Sequence, residues 1–137
     1  MWRVKRRSCA TRTARAIQLS EVLSTREILK LQSQVHDVKV DEALVDYMLA
    51  IVEKTRTHES LALGVSPRGA QAMYRATQAL AMVEGRGYAI PDDIKRLVVP
   101  IFAHRVIVNT RTALSQRSSD LADRILQEIL TLVDVPL

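Results

Sequence analysis

Apolar residues recur at helical spacing along most of this chain, and short polar segments separate the runs. The fullest run forms a complete stripe along one face of a helix: Leu44, Tyr47, Met48, Ile51 and Val52. Shorter runs have the same spacing: Ile28, Leu31 and Val35; Ile94, Leu97, Val98 and Ile101; and Leu121, Ile125, Ile129 and Leu132. No run alternates convincingly as a half-buried strand does, although positions 106–108 could be extended. We therefore expect an all-α fold, a compact helical bundle of four to six helices.

Residues that typically cap helices precede these runs. The expected N-cap residues are Ser24, Asp41, Ser66 and Asp120. The segment Ser24-Thr25-Arg26-Glu27 fits a capping box, in which the serine and the glutamate each accept an otherwise free N–H. Pro67 and Pro91 stand at first helical positions, where the missing N–H of proline costs no hydrogen bond.

The expected helix ends rest on loop residues, glycine and proline. The second helix should end near Thr57, and Gly85 with Gly87 should end the third. Pro100 predicts a stop or kink just before it, because its ring cannot donate and crowds the preceding turn. Positions 109–118 are expected to form a loop.

The third helix is rich in alanine, at positions 70, 72, 76, 79 and 81. A slim helix lets its neighbours approach closely, so we expect it in the centre of the bundle. Met73 and Tyr74 are expected in the core.

Charge divides the 137 residues into two parts. The net charge is +5, with 47% hydrophobic and 26% charged residues, proportions typical of a globular domain. Six of the 20 basic residues lie within positions 1–15, which contain no acid, whereas the rest of the chain holds 14 basic and all 15 acidic residues. We interpret residues 1–19 as a disordered basic leader or the product of a misplaced start, with a polyanion-binding arm or a targeting segment as alternatives. Residues 20–137 form one domain.

Catalytic and metal-binding patterns are hard to find in this sequence. Nothing matches a Gly-rich phosphate loop, and the single cysteine, Cys9, allows neither an internal disulfide nor a cysteine-based zinc site. The histidines, His36, His58 and His104, are not spaced as metal ligands. Asp92 and Asp93 are explained by their place in a helical first turn. No apolar run reaches the roughly 20 residues of a membrane span, and we expect a cytoplasmic protein.

Arg68 is unusual because it stands in the first turn of the third helix, where the helix dipole disfavours a cation. It is either a surface arginine that happens to follow a Ser-Pro cap or a contact for an anion bound at the helix N-terminus. The residues alone leave both interpretations open.

Five ordered blocks resemble one protein family. They are Gly64-Val65-Ser66-Pro67-Arg68-Gly69-Ala70, Ala76-Thr77-Gln78-Ala79-Leu80-Ala81, Gly85-Arg86-Gly87-Tyr88, Pro91-Asp92-Asp93-Ile94 and His104-Arg105, and the likeness includes Tyr47 and the Thr55-Arg56 pair. This pattern is similar to the C-terminal lid of MoxR-type AAA+ ATPases, with the related magnesium-chelatase lid as second choice.

The resemblance implies a bacterial, chaperone-type machine whose helical lid packs beside a nucleotide-binding core. Arg68 would be its sensor-2 residue, which contacts ATP phosphates, and Ser66 and Pro67 would form the helix start that positions it. The resemblance also implies ATP with magnesium held mainly by the core, a hexamer and a client protein. It assigns no role to His104 and Arg105.

The Walker motifs and the arginine finger of the family belong to a core that these residues do not contain. We therefore expect a detached lid that is not catalytic alone. The alternative is a free-standing helical module that binds nucleic acid or protein through the basic leader. Salt-sensitive DNA affinity that requires residues 1–15 would favour the nucleic-acid alternative, whereas the charge of about −1 on the rest of the chain argues against it.

Overall fold

The computed structural model describes residues 22–109 and 118–136, which form five α-helices and two short strands. In chain order these are α1 (Thr25–Gln34), α2 (Glu42–Thr57), β1 (Leu61–Leu63), α3 (Pro67–Val83), α4 (Pro91–Phe102), β2 (Ile107–Val108) and α5 (Ser118–Leu132). Short 3-10 turns at Val35–Asp37 and Ala103–Arg105 follow α1 and α4. The predicted all-α bundle is confirmed, with a small sheet added to it. The predicted basic leader and most of the loop expected at 109–118 lie outside the described residues.

Helices α2 to α5 enclose an aliphatic core. Helix α3 packs against α2 and α4, and α5 packs against the same two helices. The fully buried side chains that fill the space between them include Ile51, Val65, Met73, Ile94, Val98, Phe102, Leu126 and Ile129. All five residues of the stripe predicted on α2 are buried, as helical periodicity requires.

Apolar side chains on two helices lie nearer the surface than expected. Tyr74 is 37% exposed, so its predicted place in the core is wrong, because one helical step of about 100° turns it away from the fully buried Met73. On α1 no residue is buried. Its apolar stripe exists, but Ile28 is 43% and Leu31 42% exposed.

The observed helix starts follow the predicted caps, with one exception. Ser24 and Glu27 form the capping box, Asp41 Oδ1 accepts from the Ala43 N–H at 2.9 Å, and Ser66 caps α3. Helix α5 begins at Ser118, so Asp120 lies in its first turn rather than at its cap. A carboxylate there still favours the helix through the dipole.

The end of α3 confirms the prediction from glycine. Gly85 has φ +75°, a left-handed conformation that glycine adopts without strain. The Gly85 N–H donates to the Met82 carbonyl and the Arg86 N–H to the Ala81 carbonyl, both at 2.9 Å. These two bonds form a Schellman motif, which satisfies the last carbonyls of the helix.

Pro100 does not stop α4, so the stop, one of the two outcomes expected of it, is not observed. The helix continues to Phe102 and passes into the 3-10 turn. Pro100 removes the N–H that would bond the Arg96 carbonyl one turn earlier. Both residues are exposed, so that carbonyl can be solvated, and the helix tolerates the proline two residues before its end.

An antiparallel strand pairing joins two distant parts of the chain. β1 and β2 are antiparallel, with Leu61 opposite Val108 and Leu63 opposite Ile107. The extended conformation considered for 106–108 is therefore observed, whereas β1 was not predicted. A strand of three residues is too short to show alternation.

An ion pair ties the end of α3 to the start of α4. Arg86 donates to both carboxylate oxygens of Asp93, at 2.9 and 2.6 Å, and the Ile90 N–H donates to Asp93 Oδ2 at 3.0 Å. Burial acts to raise the pKa of the 1% exposed Asp93, but the hydrogen bonds from Arg86 and Ile90 and the charge of Arg86 outweigh it and lower that pKa. The first-turn position of Asp93 therefore explains only part of its role, because the carboxylate also pairs with Arg86.

Candidate functional site

The segment that joins α2 to α3 lies close against the end of α2. Gly64 marks the closest approach: a Cβ on this residue would lie 2.6 Å from the Thr55 carbonyl oxygen and 2.7 Å from both N and Cα of Arg56. Contacts this short with backbone atoms leave no room for a Cβ unless the backbone shifts, so this position favours glycine. The chain turns directly from this point into α3.

Both backbone polar groups of Val65 are hydrogen-bonded to side chains of α2. Its N–H donates to Thr55 Oγ1 at 2.9 Å, and its carbonyl accepts from Arg56 Nε at 2.9 Å. The Thr55 hydroxyl in turn donates to the Val52 carbonyl at 2.6 Å. Thr55 and Val65 are buried, so breaking these bonds would leave polar groups without water. The start of α3 therefore has a defined position relative to α2.

The first turn of α3 caps itself and leaves one residue with free donors. Ser66 Oγ accepts from the Gly69 N–H at 3.3 Å, and the Ser66 carbonyl accepts from the N–H groups of Gly69 and Ala70 at 2.8 and 3.2 Å. Pro67 has no N–H. Within residues 22–109 and 118–136, neither the backbone N–H nor the guanidinium of Arg68 has a hydrogen-bond partner, and the residue is exposed.

Two further arginines lie at the same end of α3. A Cβ on Gly69 would lie 3.3 Å from Arg105 Cδ, so the Arg105 side chain crosses the first turn where glycine leaves room for it. Arg105 Nη1 donates to the Ile101 carbonyl at 2.8 Å and contacts His104 Nε2. Arg56 reaches this end of α3 through its bond to the Val65 carbonyl.

Arg56 and Arg105 line an open cleft of about 600 Å³ beside the start of α3. The other lining residues are Ala62, Leu63, Gly64, Val65, Ser66 and Pro67. None of the lining residues is acidic. Arg68 does not line this cleft.

Positive charge at this end of α3 is not neutralised by carboxylates. Arg56, Arg68 and Arg105 form no ion pair with a residue of the described part of the chain. The N-terminus of α3 adds the partial positive charge of the helix dipole, about half an elementary charge. Guanidinium groups in this setting favour anions, which they bind through charge-assisted hydrogen bonds.

The other candidates from the sequence do not come together. His36 and His104 lie in the two 3-10 turns and His58 at the end of α2. In the ranges that the structure describes, no three histidine, cysteine, aspartate or glutamate side chains group as metal ligands. Asp92 pairs on the surface with Lys95.

The structure brings Ser66, Pro67 and Arg68 together as the start of α3, where the sequence predicted a helix to begin. Sequence reasoning missed the proximity of Arg56 and Arg105 to that start. Both belong to blocks quoted for the family resemblance, but their separation along the chain gave no sign that they meet. The glycine in position 69 was the available signal, since its lack of a side chain admits Arg105.

Residues 53–129, more than half of the chain, match the AAA lid domain family. YeaC of Bacillus subtilis, an uncharacterized protein, is 37% identical over 118 residues, which cover 86% of this chain and 36% of YeaC. The chaperone MoxR1 of Mycobacterium tuberculosis is 32% identical over 122 residues, which cover 82% of this chain and 32% of MoxR1. The chain thus spans about a third of the length of these relatives.

A solved structure has the same fold. It is the crystal structure of a protein described as an ATPase from Cytophaga hutchinsonii, with a TM-score of 0.79 and 26% sequence identity. The match covers 88% of this chain and 38% of that one. No helix within the described residues is long and apolar enough to cross a bilayer.

Proposed function

Because this chain belongs to the AAA lid domain family, as the lid of a MoxR-type AAA+ ATPase, we propose that Arg68 contacts the phosphates of the ATP bound to that enzyme. In this role Arg68 is the sensor-2 residue, which couples the nucleotide state to the position of the lid. Ser66 and Pro67 set the helix start that carries it.

One observation carries this proposal: at the positive end of a helix, the backbone N–H and the guanidinium of Arg68 have no hydrogen-bond partner among the described residues. A cation in a helical first turn costs about 0.3–1 kcal/mol relative to a neutral residue. An anion at this position reverses that cost, since it meets the guanidinium and the backbone N–H together. A terminal phosphate has the charge and the acceptor oxygens that such a pair of donors binds.

The buried bonds of Val65 support the coupling. An arginine on a freely moving loop could bind phosphate without moving the helices. Here the residue just before the cap is hydrogen-bonded to α2 through Thr55 and Arg56. Binding at Arg68 would therefore shift α2 and α3 as one unit.

The remaining parts of the proposal concern the whole enzyme. ATP and magnesium are held mainly by the nucleotide-binding core, which is the first partner of this lid. Magnesium supplies charge neutralisation at the phosphates when bound. We further propose a hexameric assembly in the cytoplasm that remodels a client protein. Residues 1–19 remain, in this proposal, a basic leader outside the lid of residues 20–137.

The test compares two arginines of α3 in the enzyme assembled with its nucleotide-binding core. Arg68→Ala is expected to lower kcat for ATP hydrolysis by about tenfold to a hundredfold, the effect of losing one charged hydrogen bond in a transition state. Arg75→Ala, an exposed arginine on the same helix, serves as the matched control and should leave kcat unchanged. Circular dichroism should show both variants folded. Equal turnover in the two variants would end the sensor-2 assignment.

A further inference from the structure

The cleft lined by Arg56 and Arg105 has no part in the role proposed for Arg68, which does not line it. We propose that this cleft binds an acidic peptide segment of a protein partner, with carboxylates on the two arginines and an apolar side chain between them. The inference is independent of whether Arg68 contacts ATP.

Both guanidinium groups are oriented before any ligand arrives. Arg56 uses Nε on the Val65 carbonyl, and Arg105 uses Nη1 on the Ile101 carbonyl. Their other N–H groups have no partner among the described residues. Because both side chains are already anchored to the protein, less conformational entropy is lost when a ligand takes the free donors.

The charge of this arginine pair is kept available. Two other arginines of the described part of the chain have a carboxylate partner, since Arg86 pairs with Asp93 and Arg96 with Glu84. No acidic residue lines the cleft. The electrostatic complement of this surface is therefore a ligand with at least two negative charges.

The floor of the cleft distinguishes a peptide from a free phosphate. Ala62, Leu63, Val65 and Pro67 line it, and Leu63 is 56% exposed. A phosphate would leave this apolar surface in water, whereas a leucine or valine beside an acidic residue would cover it.

The neighbouring strand also suits a peptide. β1 pairs with β2 alone within the described residues, so its second edge carries no strand. An open edge of this kind accepts an extended segment through backbone hydrogen bonds, while the side chains reach adjacent pockets.

The test measures binding to the full chain by fluorescence anisotropy. The probe is a labelled synthetic peptide that alternates glutamate and leucine, and its counterpart alternates lysine and leucine. The acidic peptide should bind in a salt-sensitive manner and the basic one should not. Arg56→Ala and Arg105→Ala should each weaken binding by about tenfold or more, as expected for a charged hydrogen bond.

Three variants make the result specific. Leu63→Asp changes an exposed side chain, so the variant should fold normally. Its new carboxylate should repel the acidic peptide and weaken the binding of that peptide. Arg75→Ala and Arg68→Ala should leave peptide affinity unchanged, and the second of these separates this cleft from the proposed phosphate contact. Circular dichroism checks each fold, and Arg105→Lys replaces Arg105→Ala if the alanine variant unfolds.

Several outcomes would overturn the proposal. The acidic peptide could fail to bind. Alternatively, Arg75→Ala could weaken peptide binding as much as Arg56→Ala does, and this result would reveal non-specific attraction. Inorganic triphosphate could displace the peptide from the cleft at lower concentration than unlabelled peptide does, which would make the cleft a phosphate site. Leu63→Asp without effect would show that the apolar floor is not used.

Discussion

Thr55→Val tests the link between α2 and the start of α3. The substitution keeps the shape and the β-branch of the side chain and removes only the hydroxyl. That hydroxyl accepts from the Val65 N–H at 2.9 Å and donates to the Val52 carbonyl at 2.6 Å. Valine and threonine have similar helix propensities, so the helix itself is not the source of any change.

The expected loss of stability can be worked from burial. Thr55 is 0% and Val65 1% exposed, so water cannot replace the lost acceptor. An unsatisfied buried N–H costs about 1–3 kcal/mol, and a lost hydrogen bond about 1 kcal/mol more. The Val52 carbonyl keeps the backbone bond of its helix. We expect the free energy of unfolding to fall by about 3 kcal/mol, roughly a hundredfold in the unfolding equilibrium.

Urea denaturation followed by circular dichroism measures this loss, with two controls. Thr57→Val changes an exposed threonine two residues later in α2 and should alter stability by at most about 0.5 kcal/mol. Thr55→Ser keeps the hydroxyl and should lose only the methyl contribution, about 1 kcal/mol. A loss below about 1 kcal/mol in Thr55→Val, or an equal loss in Thr57→Val, would refute the reasoning.

Two further predictions concern stability. Gly64→Ala forces a Cβ to within 2.7 Å of backbone atoms of α2 and should lower the free energy of unfolding by about 1–3 kcal/mol. Gly87→Ala, with open space around the new Cβ, should leave it almost unchanged. Similar urea midpoints for the two variants would contradict this. Arg86→Ala strands the buried Asp93 carboxylate, so it should destabilise several times more than Arg96→Ala, whose exposed ion pair contributes at most about 1 kcal/mol. Because the pKa of Asp93 is lowered in the folded protein, its contribution to stability is present above about pH 3.9 and is lost as the pH falls further. The difference in the free energy of unfolding between wild type and Arg86→Ala should therefore shrink in acid. Urea titrations at neutral and acidic pH check this, and a difference that stays constant would argue against it.

The parts of the fold that follow from local patterns were predictable. The stripe on α2, the Ser66-Pro67 start of α3 and the glycine at its end each depend on residues within a few positions of one another. β1 has only three residues, so its pairing with β2 depends on chain topology rather than on a local pattern. The passage of α4 through Pro100 depends on which face is exposed, which the sequence alone does not reveal.

The candidate site was predictable only in part, for the same reason. Arg68 is conspicuous because it conflicts with the dipole of its own helix. Arg56 and Arg105 occupy positions where an arginine is not unusual in the local sequence. They become candidates only when the fold places them beside the start of α3. Asp93 shows the opposite case. Its place in a helical first turn was a sufficient local explanation for the carboxylate, so nothing in the sequence indicated its ion pair with Arg86.

The double attachment of Val65 to α2 makes the end of α2 and the start of α3 move together. Helix α3 has 17 residues and extends about 25 Å from this point. A rotation of the joined helices by about 10° about Val65 would move the far end of α3 by about 4 Å. Because Val65 cannot separate from α2 without breaking buried bonds, the loop between the two helices cannot absorb such a rotation.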